Sequence, residues 1–135
     1  MGNDAISLFT ALFRLTYFKL RFDLQSRNTS KWYYAEYSTF VVLPESQNYN
    51  MLVAEYSGNA GKDSLKCHNG QMFSTYDRDH DNWRDFNSAA VTGGGFWTQR
   101  CDDCAVNNDD TSLFYWSGLP GGRELQTSRM WLLCK

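Results

Sequence analysis

Just past its midpoint the chain reads Phe73-Ser-Thr-Tyr-Asp-Arg-Asp-His-Asp-Asn-Trp-Arg-Asp85. This stretch holds four carboxylates within nine residues, on Asp77, Asp79, Asp81 and Asp85. Carboxylates this close repel one another unless a cation lies among them or all of them face water. Alternating acidic residues on a curved loop direct oxygen atoms at one centre, and Ca²⁺ prefers six to eight oxygen ligands. The spacing therefore favours a hard-cation site over a solvated acidic turn.

The acidic stretch does not follow the EF-hand pattern. Counted from Asp77, the sixth position is Asn82, where an EF-hand loop has glycine. The twelfth position is Ser88, where that loop has a bidentate glutamate. A cation at this loop would therefore be held by another arrangement.

Composition narrows the class of protein. A chain of 135 residues is long enough for one domain with its own core. A net charge of -2 argues against nucleic-acid binding, which needs a basic face. No apolar run is long enough to span a bilayer, and the residues after Met1 lack the basic start of a secretory signal. We therefore expect neither a membrane span nor a signal peptide in this chain.

Catalytic patterns are weak, so we predict that the chain is not an enzyme. The adjacent acids Asp102 and Asp103 cannot flank a scissile bond as a glycosidase pair does. His68 and His80 have no obvious serine or cysteine partner at a turn. A structural hydrogen bond is the expected role of His68.

The two halves of the chain differ in periodicity. In the first half we predict a short helix over Ala5–Leu12, with Asn3 and Asp4 as its cap, and strands over Tyr17–Leu24, Trp32–Val42 and Tyr49–Tyr56. The second half is rich in glycine and polar residues, and only Arg129–Cys134 has the pattern of a strand. The sequence thus indicates an α+β domain, in which an antiparallel meander is followed by a long loop-rich half. Such loop-rich regions are usually functional.

Four cysteines leave the redox state open. They are Cys67, Cys101, Cys104 and Cys134, which allow three pairings or free thiols. A structural zinc site needs four ligands, and the single Cys101-Asp-Asp-Cys104 pair does not supply them.

The central motifs resemble those of the fibrinogen C-terminal domain family. The matching segments are Tyr56-Ser-Gly-Asn-Ala-Gly-Lys-Asp-Ser-Leu65, His68-Asn-Gly70, Phe73-Ser-Thr75 and Asp77-Arg-Asp-His-Asp-Asn82, with weaker matches at Leu20–Leu24, Ala35–Val42, Gly95–Trp97 and Thr127–Met130. The resemblance implies a domain over 1–135 that lacks the family's N-terminal subdomain. It divides into a central sheet part (1–56), a loop-rich calcium and ligand lobe (57–128) and a returning strand (129–135).

Family members hold one Ca²⁺ in this lobe. By the resemblance, the carboxylates of Asp79 and Asp81 would bind the ion, together with the main-chain carbonyls of Trp83 and Asp85. Asp77 would stand beside the site. The ligand pocket would be formed by Thr98, Arg100, Cys101, Asp102, Tyr115 and Trp116, with a cis peptide bond between Arg100 and Cys101.

Several departures from the family fall in this pocket. Thr98 stands where the family has tyrosine, and Asp102 stands where it has histidine. The negative charge of Asp102 favours an amine-bearing ligand over an acetyl group. For Tyr115 and Trp116, core packing is the alternative to a place in the pocket wall. The family's disulfide partner of Cys101 is missing, so Cys104 would replace it or Cys101 would be free.

Three functions follow from the resemblance. The first is an extracellular, calcium-stabilised, lectin-like module of innate defence that binds a glycan, or another acetylated or amine-bearing ligand. The second is a domain that binds a receptor or matrix protein. The third is a truncated copy without a ligand. Oligomers would form through the N-terminal region that this chain lacks.

Overall fold

A computed structural model describes residues 1–12, 18–101, 103–108 and 113–135 of the chain. Its helices are α1 (Asn3–Leu12) and α2 (Ser88–Thr92), and its strands are β1 (Phe18–Ser26), β2 (Trp32–Val42), β3 (Met51–Gly58), β4 (Cys104–Ala105), β5 (Tyr115–Trp116) and β6 (Leu125–Cys134). Four strands form an antiparallel sheet in the order β3-β2-β1-β6, and β4 pairs with β5. The predicted α+β class is confirmed.

β1 follows the period of two that its sequence predicts. Leu20, Phe22 and Leu24 are buried, and the residues between them are only half-buried. β1 pairs with β2 on one side and with β6 on the other. β6 begins at Leu125, ahead of the predicted start at Arg129, and extends to Cys134. The strand that is latest in the chain thus lies beside the first.

The outer face of the sheet carries a network of charged side chains. Arg21 donates to Asp23 (2.7 Å) and to Glu36 (2.9 Å), and Lys19 also donates to Glu36 (2.8 Å). The indole N–H of Trp131 donates to Asp23 (2.8 Å). The hydrogen bond from Lys19 lowers the pKa of Glu36, with burial opposing it. These contacts cover the half-buried positions of β1.

Two tryptophans fix the loop-rich half on the inner face of the sheet. Trp116 is 0% exposed, and its ring lies 5.7 Å from that of Phe22. Trp97 packs edge-on against Phe40 at 6.4 Å, and its indole N–H donates to the carbonyl of Tyr49 (2.7 Å). Large aromatic side chains bury most of the apolar area in such a core. The sheet and the loops therefore share one core.

The chain enters the loop-rich half through a constrained turn after β3. Gly58 has φ +134°, and a Cβ there would collide with the carbonyl oxygen of Tyr34. That oxygen instead accepts from the backbone N–H groups of Asn59 (3.0 Å) and Ala60 (3.1 Å). Glycine is needed where the backbone has this φ and another segment of the same chain approaches this closely.

Helix α1 begins at Asn3, so the predicted cap at Asn3 and Asp4 is wrong. The backbone N–H of Ile6 already donates to the carbonyl of Gly2 (3.1 Å), which places Asp4 in the first turn. The hydroxyl of Thr10 accepts from the backbone N–H of Val42 (2.9 Å) and joins the helix to β2. Neither described helix is long and apolar enough to cross a membrane.

Candidate metal and ligand site

The acidic loop is anchored at its start by hydrogen bonds of Phe73 and Ser74. Ser74 and Phe96 exchange N–H···O bonds of 2.9 and 3.1 Å. The ring of His80 bonds the carbonyl of Phe73 through Nδ1 (2.9 Å), and its backbone N–H donates to the hydroxyl of Ser74 (3.0 Å). The first aspartates of the loop are thereby held against the core.

Asp81 organises the rest of the loop. Its Oδ1 accepts from the backbone N–H of Trp83 (2.8 Å), and its Oδ2 accepts from that of Ser88 (2.9 Å). The backbone N–H of Asp81 donates to Oδ1 of Asp79 (3.1 Å). One half-buried carboxylate therefore bends the chain back on itself, as a short side chain that bonds nearby N–H groups does in turns.

The charge of this loop is not balanced by ion pairs. In the part of the chain that the structure describes, no lysine or arginine pairs with Asp79, Asp81 or Asp85. Arg78, which lies within the loop, pairs with Glu45 at 3.2 Å. Arg100 lies 5.5 Å above the ring of Trp83, in a cation–π contact. The loop is left with the negative field that attracts a cation.

The donor set fits a hard cation. Each oxygen of Asp81 accepts one hydrogen bond and keeps a further acceptor site, as does the bonded oxygen of Asp79. Among the described residues, no three acidic side chains of this loop bring their oxygens within 4.8 Å of one another. An ion would therefore need main-chain oxygens as well, as the predicted set with the carbonyls of Trp83 and Asp85 requires. The cation site stays a prediction.

A small cavity lies beside this loop, with a volume of about 50 Å³. Its lining comprises His68, Ser88, Thr92, Phe96, Thr98, Gln99, Cys104, Ala105, Val106, Asn108 and Tyr115. The walls include apolar side chains from both halves of the β4–β5 pair. The hydroxyl oxygen of Thr98 is buried and has no hydrogen-bond partner among the described residues. A polar atom without a partner in a closed site is a candidate contact for a ligand.

The predicted pocket residues are only partly brought together. Thr98 and Tyr115 line the cavity, whereas Trp116 is wholly buried in the core and lies outside its lining. Arg100 is exposed and contacts Trp83. Asp102 lies outside the described residues. Sequence reasoning missed Phe96 as a wall residue, although it falls within a segment that resembles the family.

The cysteine at the pocket forms a long-range disulfide. Cys67 bonds to Cys101 across 34 residues, with their Cα atoms 6.2 Å apart. The expectations that Cys104 replaces the missing partner, or that Cys101 is free, are therefore wrong. Cys104 is a buried free thiol, and burial raises its pKa. Cys134 is free and exposed.

The backbone at the pocket also differs from the expectation. The peptide bonds of the described residues are all trans, the Arg100–Cys101 bond included. A non-proline cis bond costs about 3 kcal/mol and persists only where the surroundings enforce it. The changed disulfide partner alters the surroundings of Cys101. The expected structural bond of His68 is confirmed, since its Nδ1 lies 2.9 Å from the carbonyl oxygen of Trp97.

A rigid antiparallel sheet that carries a long loop-rich lobe defines a class of protein that presents binding loops on a scaffold. The family model for the C-terminal globular domain of the fibrinogen beta and gamma chains matches residues 1–119. The chain belongs to this family, as its motifs predict. The family consists typically of non-enzymatic recognition domains.

The similar proteins include angiopoietin-related proteins and fibrinogen chains. Bovine (Bos taurus) angiopoietin-related protein 7 is 39% identical over 107 residues, which cover 79% of this chain and 29% of that protein. The lamprey (Petromyzon marinus) fibrinogen beta chain is 35% identical over 103 residues, with 64% of this chain and 21% of that one covered. This chain thus spans less than a third of the length of these relatives.

Solved structures show the same fold. The fibrinogen-like globe domain of human ANGPTL6 superposes with a TM-score of 0.82 at 26% identity, covering 98% of this chain and 62% of that one. A lamprey fibrin D-dimer complexed with the peptide Gly-His-Arg-Pro-amide gives a TM-score of 0.79 at 26% identity, covering 98% and 49%.

Proposed function

We propose that this chain is an extracellular recognition domain, stabilised by Ca²⁺, whose loop-rich lobe binds a basic segment of a partner protein. Membership of the fibrinogen-related family supports a recognition role. The lamprey fibrin relative, which was solved with a basic peptide, supports a peptide ligand. The Cys67–Cys101 disulfide supports an extracellular location, since disulfides persist in oxidising compartments.

The observation that carries the proposal is an acidic and aromatic surface on the lobe. Trp83 and Phe86 stack at 4.7 Å and are 36% and 40% exposed, and Tyr76 is 78% exposed. Exposed aromatic side chains that cluster together mark interaction sites. The contact between Arg100 and Trp83 illustrates that this aromatic face accepts a guanidinium group.

The exposed carboxylates of the acidic loop favour a partner with a basic surface. Asp77 and Asp85 are exposed on the same loop, and their side chains are not among the predicted ligands of the ion. With Ca²⁺ held by Asp79 and Asp81, those two carboxylates would still give the surface a negative edge. A partner with arginine or lysine beside an apolar side chain complements both features.

Binding of basic peptides tests this proposal. Gly-His-Arg-Pro-amide and other peptides with a free amino terminus and arginine or lysine would be titrated by calorimetry in the presence of Ca²⁺. Trp83→Ala and Phe86→Ala should each weaken binding at least tenfold, since central aromatic anchors cost about 2 kcal/mol or more when truncated.

Trp131→Ala is the matched control, because Trp131 is 43% exposed and belongs to β6 of the sheet rather than to the acidic loop. It should bind like the wild type. Equal affinity for all three variants would contradict a binding site at Trp83 and Phe86. Binding that does not depend on salt concentration would contradict recognition of a basic ligand by the acidic loop.

A second candidate function, binding of an acetylated glycan, is supported by the cavity. Its volume of about 50 Å³ suits a group of methyl size. The walls at Phe96, Val106 and Tyr115 are apolar, and the buried hydroxyl of Thr98 offers one polar contact. A small apolar pocket with one placed polar group is typical of such recognition.

N-acetylglucosamine and glucosamine distinguish the two functions. An acetyl pocket predicts that only the acetylated sugar binds and that Thr98→Val, which keeps the side-chain volume, weakens it. Tight acetyl-sugar binding that is lost in Asp102→Ala would contradict our expectation that Asp102 disfavours an acetyl group. A silent glycan array would leave the peptide surface as the ligand site.

A further inference from the structure

The disulfide of the lobe has a histidine directly against it. His68 is 2% exposed, and its Nε2 lies 3.7 Å from Sγ of Cys101. Its Nδ1 lies 2.9 Å from the carbonyl oxygen of Trp97. A carbonyl oxygen only accepts hydrogen bonds, so Nδ1 carries the proton, and the lone pair of a neutral ring is on Nε2. That lone pair faces the sulfur.

The ring of His68 is held in this orientation. The ring of Phe96 packs against it edge-on at 5.8 Å, in addition to the hydrogen bond to Trp97. A histidine whose other nitrogen donates to a backbone carbonyl is the usual arrangement in metal sites, because that bond fixes the tautomer and the direction of the lone pair. His68 is thus preorganised as a ligand.

The spacing of His68 and Cys101 already matches a zinc site, whereas the two sulfurs, which are now bonded to each other, would have to separate after reduction. The ligand atoms of Cys67, His68 and Cys101 all lie within 4.8 Å of one another. Bond lengths of about 2.3 Å to sulfur and about 2.0 Å to nitrogen, at a tetrahedral angle, place the two ligand atoms about 3.5 Å apart. The distance of 3.7 Å between Nε2 of His68 and Sγ of Cys101 is already close to this value.

We propose that reduction of the Cys67–Cys101 disulfide converts this cluster into a Zn²⁺ site, with two thiolates and the Nε2 of His68 as ligands. A dithiol supplies two electrons and two protons; the S–S bond breaks, two thiols form, and the dithiol becomes a disulfide. Zn²⁺ then displaces one proton from each thiol. Three protein ligands leave the fourth position to water or to an added ligand.

Charge and access both favour this site. Two thiolates neutralise Zn²⁺, so the half-buried complex carries no net charge. Cys67 and Cys101 are each half-buried, which leaves the disulfide within reach of a small reductant. The two free cysteines are not part of the cluster: Cys104 is buried and lines the small cavity together with His68, and Cys134 is on β6.

Cobalt(II) titration of the full chain tests the proposal. The protein would be reduced with an excess of a phosphine in buffer that contains Ca²⁺, so that the acidic loop is saturated with a hard cation. We expect one equivalent of Co²⁺ to produce a near-ultraviolet thiolate-to-cobalt charge-transfer band, and Zn²⁺ to abolish it. The oxidised protein should give no such band.

Cysteine variants assign the ligands. Cys67→Ser and Cys101→Ser should each lose most of the band, whereas Cys104→Ala and Cys134→Ser, the matched controls, should keep it. His68→Gln should weaken Zn²⁺ binding at least tenfold; far-ultraviolet circular dichroism would check that it folds. Absence of the band in reduced wild type, or its survival in both Cys67→Ser and Cys101→Ser, would overturn the proposal. So would its loss in Cys134→Ser.

Discussion

Replacing Asp79 with asparagine isolates the contribution of a bound cation to stability. Asp79 is exposed, and among the described residues its side chain makes one hydrogen bond, which Oδ1 accepts from the backbone N–H of Asp81 (3.1 Å). The amide oxygen of asparagine can accept the same bond, so Asp79→Asn removes charge and leaves the loop contact. Asp81→Asn is less clean, because both oxygens of Asp81 accept from backbone N–H groups.

The expected magnitude follows from mass action. Extracellular calcium sites have dissociation constants of about 0.1–1 mM. At about 2 mM free Ca²⁺, such a site stabilises the folded state by about 0.6–1.8 kcal/mol. The unfolding entropy of a domain this size is about 0.28 kcal/mol/K, so the Tm should rise by about 2–6 °C.

Thermal unfolding in EDTA and in Ca²⁺ provides the assay. Wild type should gain this increment with Ca²⁺, whereas Asp79→Asn should melt like wild type in EDTA and gain nothing from Ca²⁺. Asp77→Asn is the matched control, because Asp77 is also exposed and accepts one bond, from the hydroxyl of Thr75 (2.7 Å). It should keep the increment. A wild-type Tm that is the same in EDTA and in Ca²⁺, or an increment that survives Asp79→Asn, would refute the predicted site.

Three further perturbations test the fold and its charges. Trp116→Ala should cost about 3–5 kcal/mol in urea unfolding, because it empties a fully buried site; a loss below about 1 kcal/mol would contradict its core role. The hydrogen bond from Lys19 lowers the pKa of Glu36, so the ionised carboxylate stabilises the folded protein above the ordinary pKa of 4.5, and this stabilisation is lost as pH falls below that value. Glu36→Gln should flatten that part of the pH–stability curve. The hydrogen bond that Tyr49 donates to Asp4 raises the pKa of Tyr49 to about 12, so in an absorbance titration Tyr49 should ionise late, and Asp4→Asn should return its pKa towards 10.

The sequence predicts the sheet well because its pattern is local. In β1, apolar residues alternate with charged ones, and a one-residue slip would turn Leu20 and Phe22 outwards. The turn of the acidic loop can also be predicted from the sequence, because Asp79 and Asp81 are two residues apart and accept hydrogen bonds from nearby backbone N–H groups. These features depend on neighbours within a few residues.

The lobe is less predictable because its contacts are distant in sequence. The Cys67–Cys101 bond depends on a turn and a cavity wall that meet only in the folded chain. β4 and β5 have two residues each, too few to show a period. Tyr115 and Trp116 are neighbours, yet one lines the cavity and the other fills the core. Which side each faces is set by packing against the sheet.

The pairing of β1 with β6 has a consequence for biosynthesis. Its partners are about a hundred residues apart, from Ser26 with Leu125 to Phe18 with Cys134. At an elongation rate of about 5–20 residues per second, the edge of β1 that pairs with β6 stays unpaired for about 5–20 s before β6 is synthesised. An open strand edge is a template for pairing with other nascent chains. Chaperones that shield this edge during translation should therefore raise the yield of folded protein more than those that act after release.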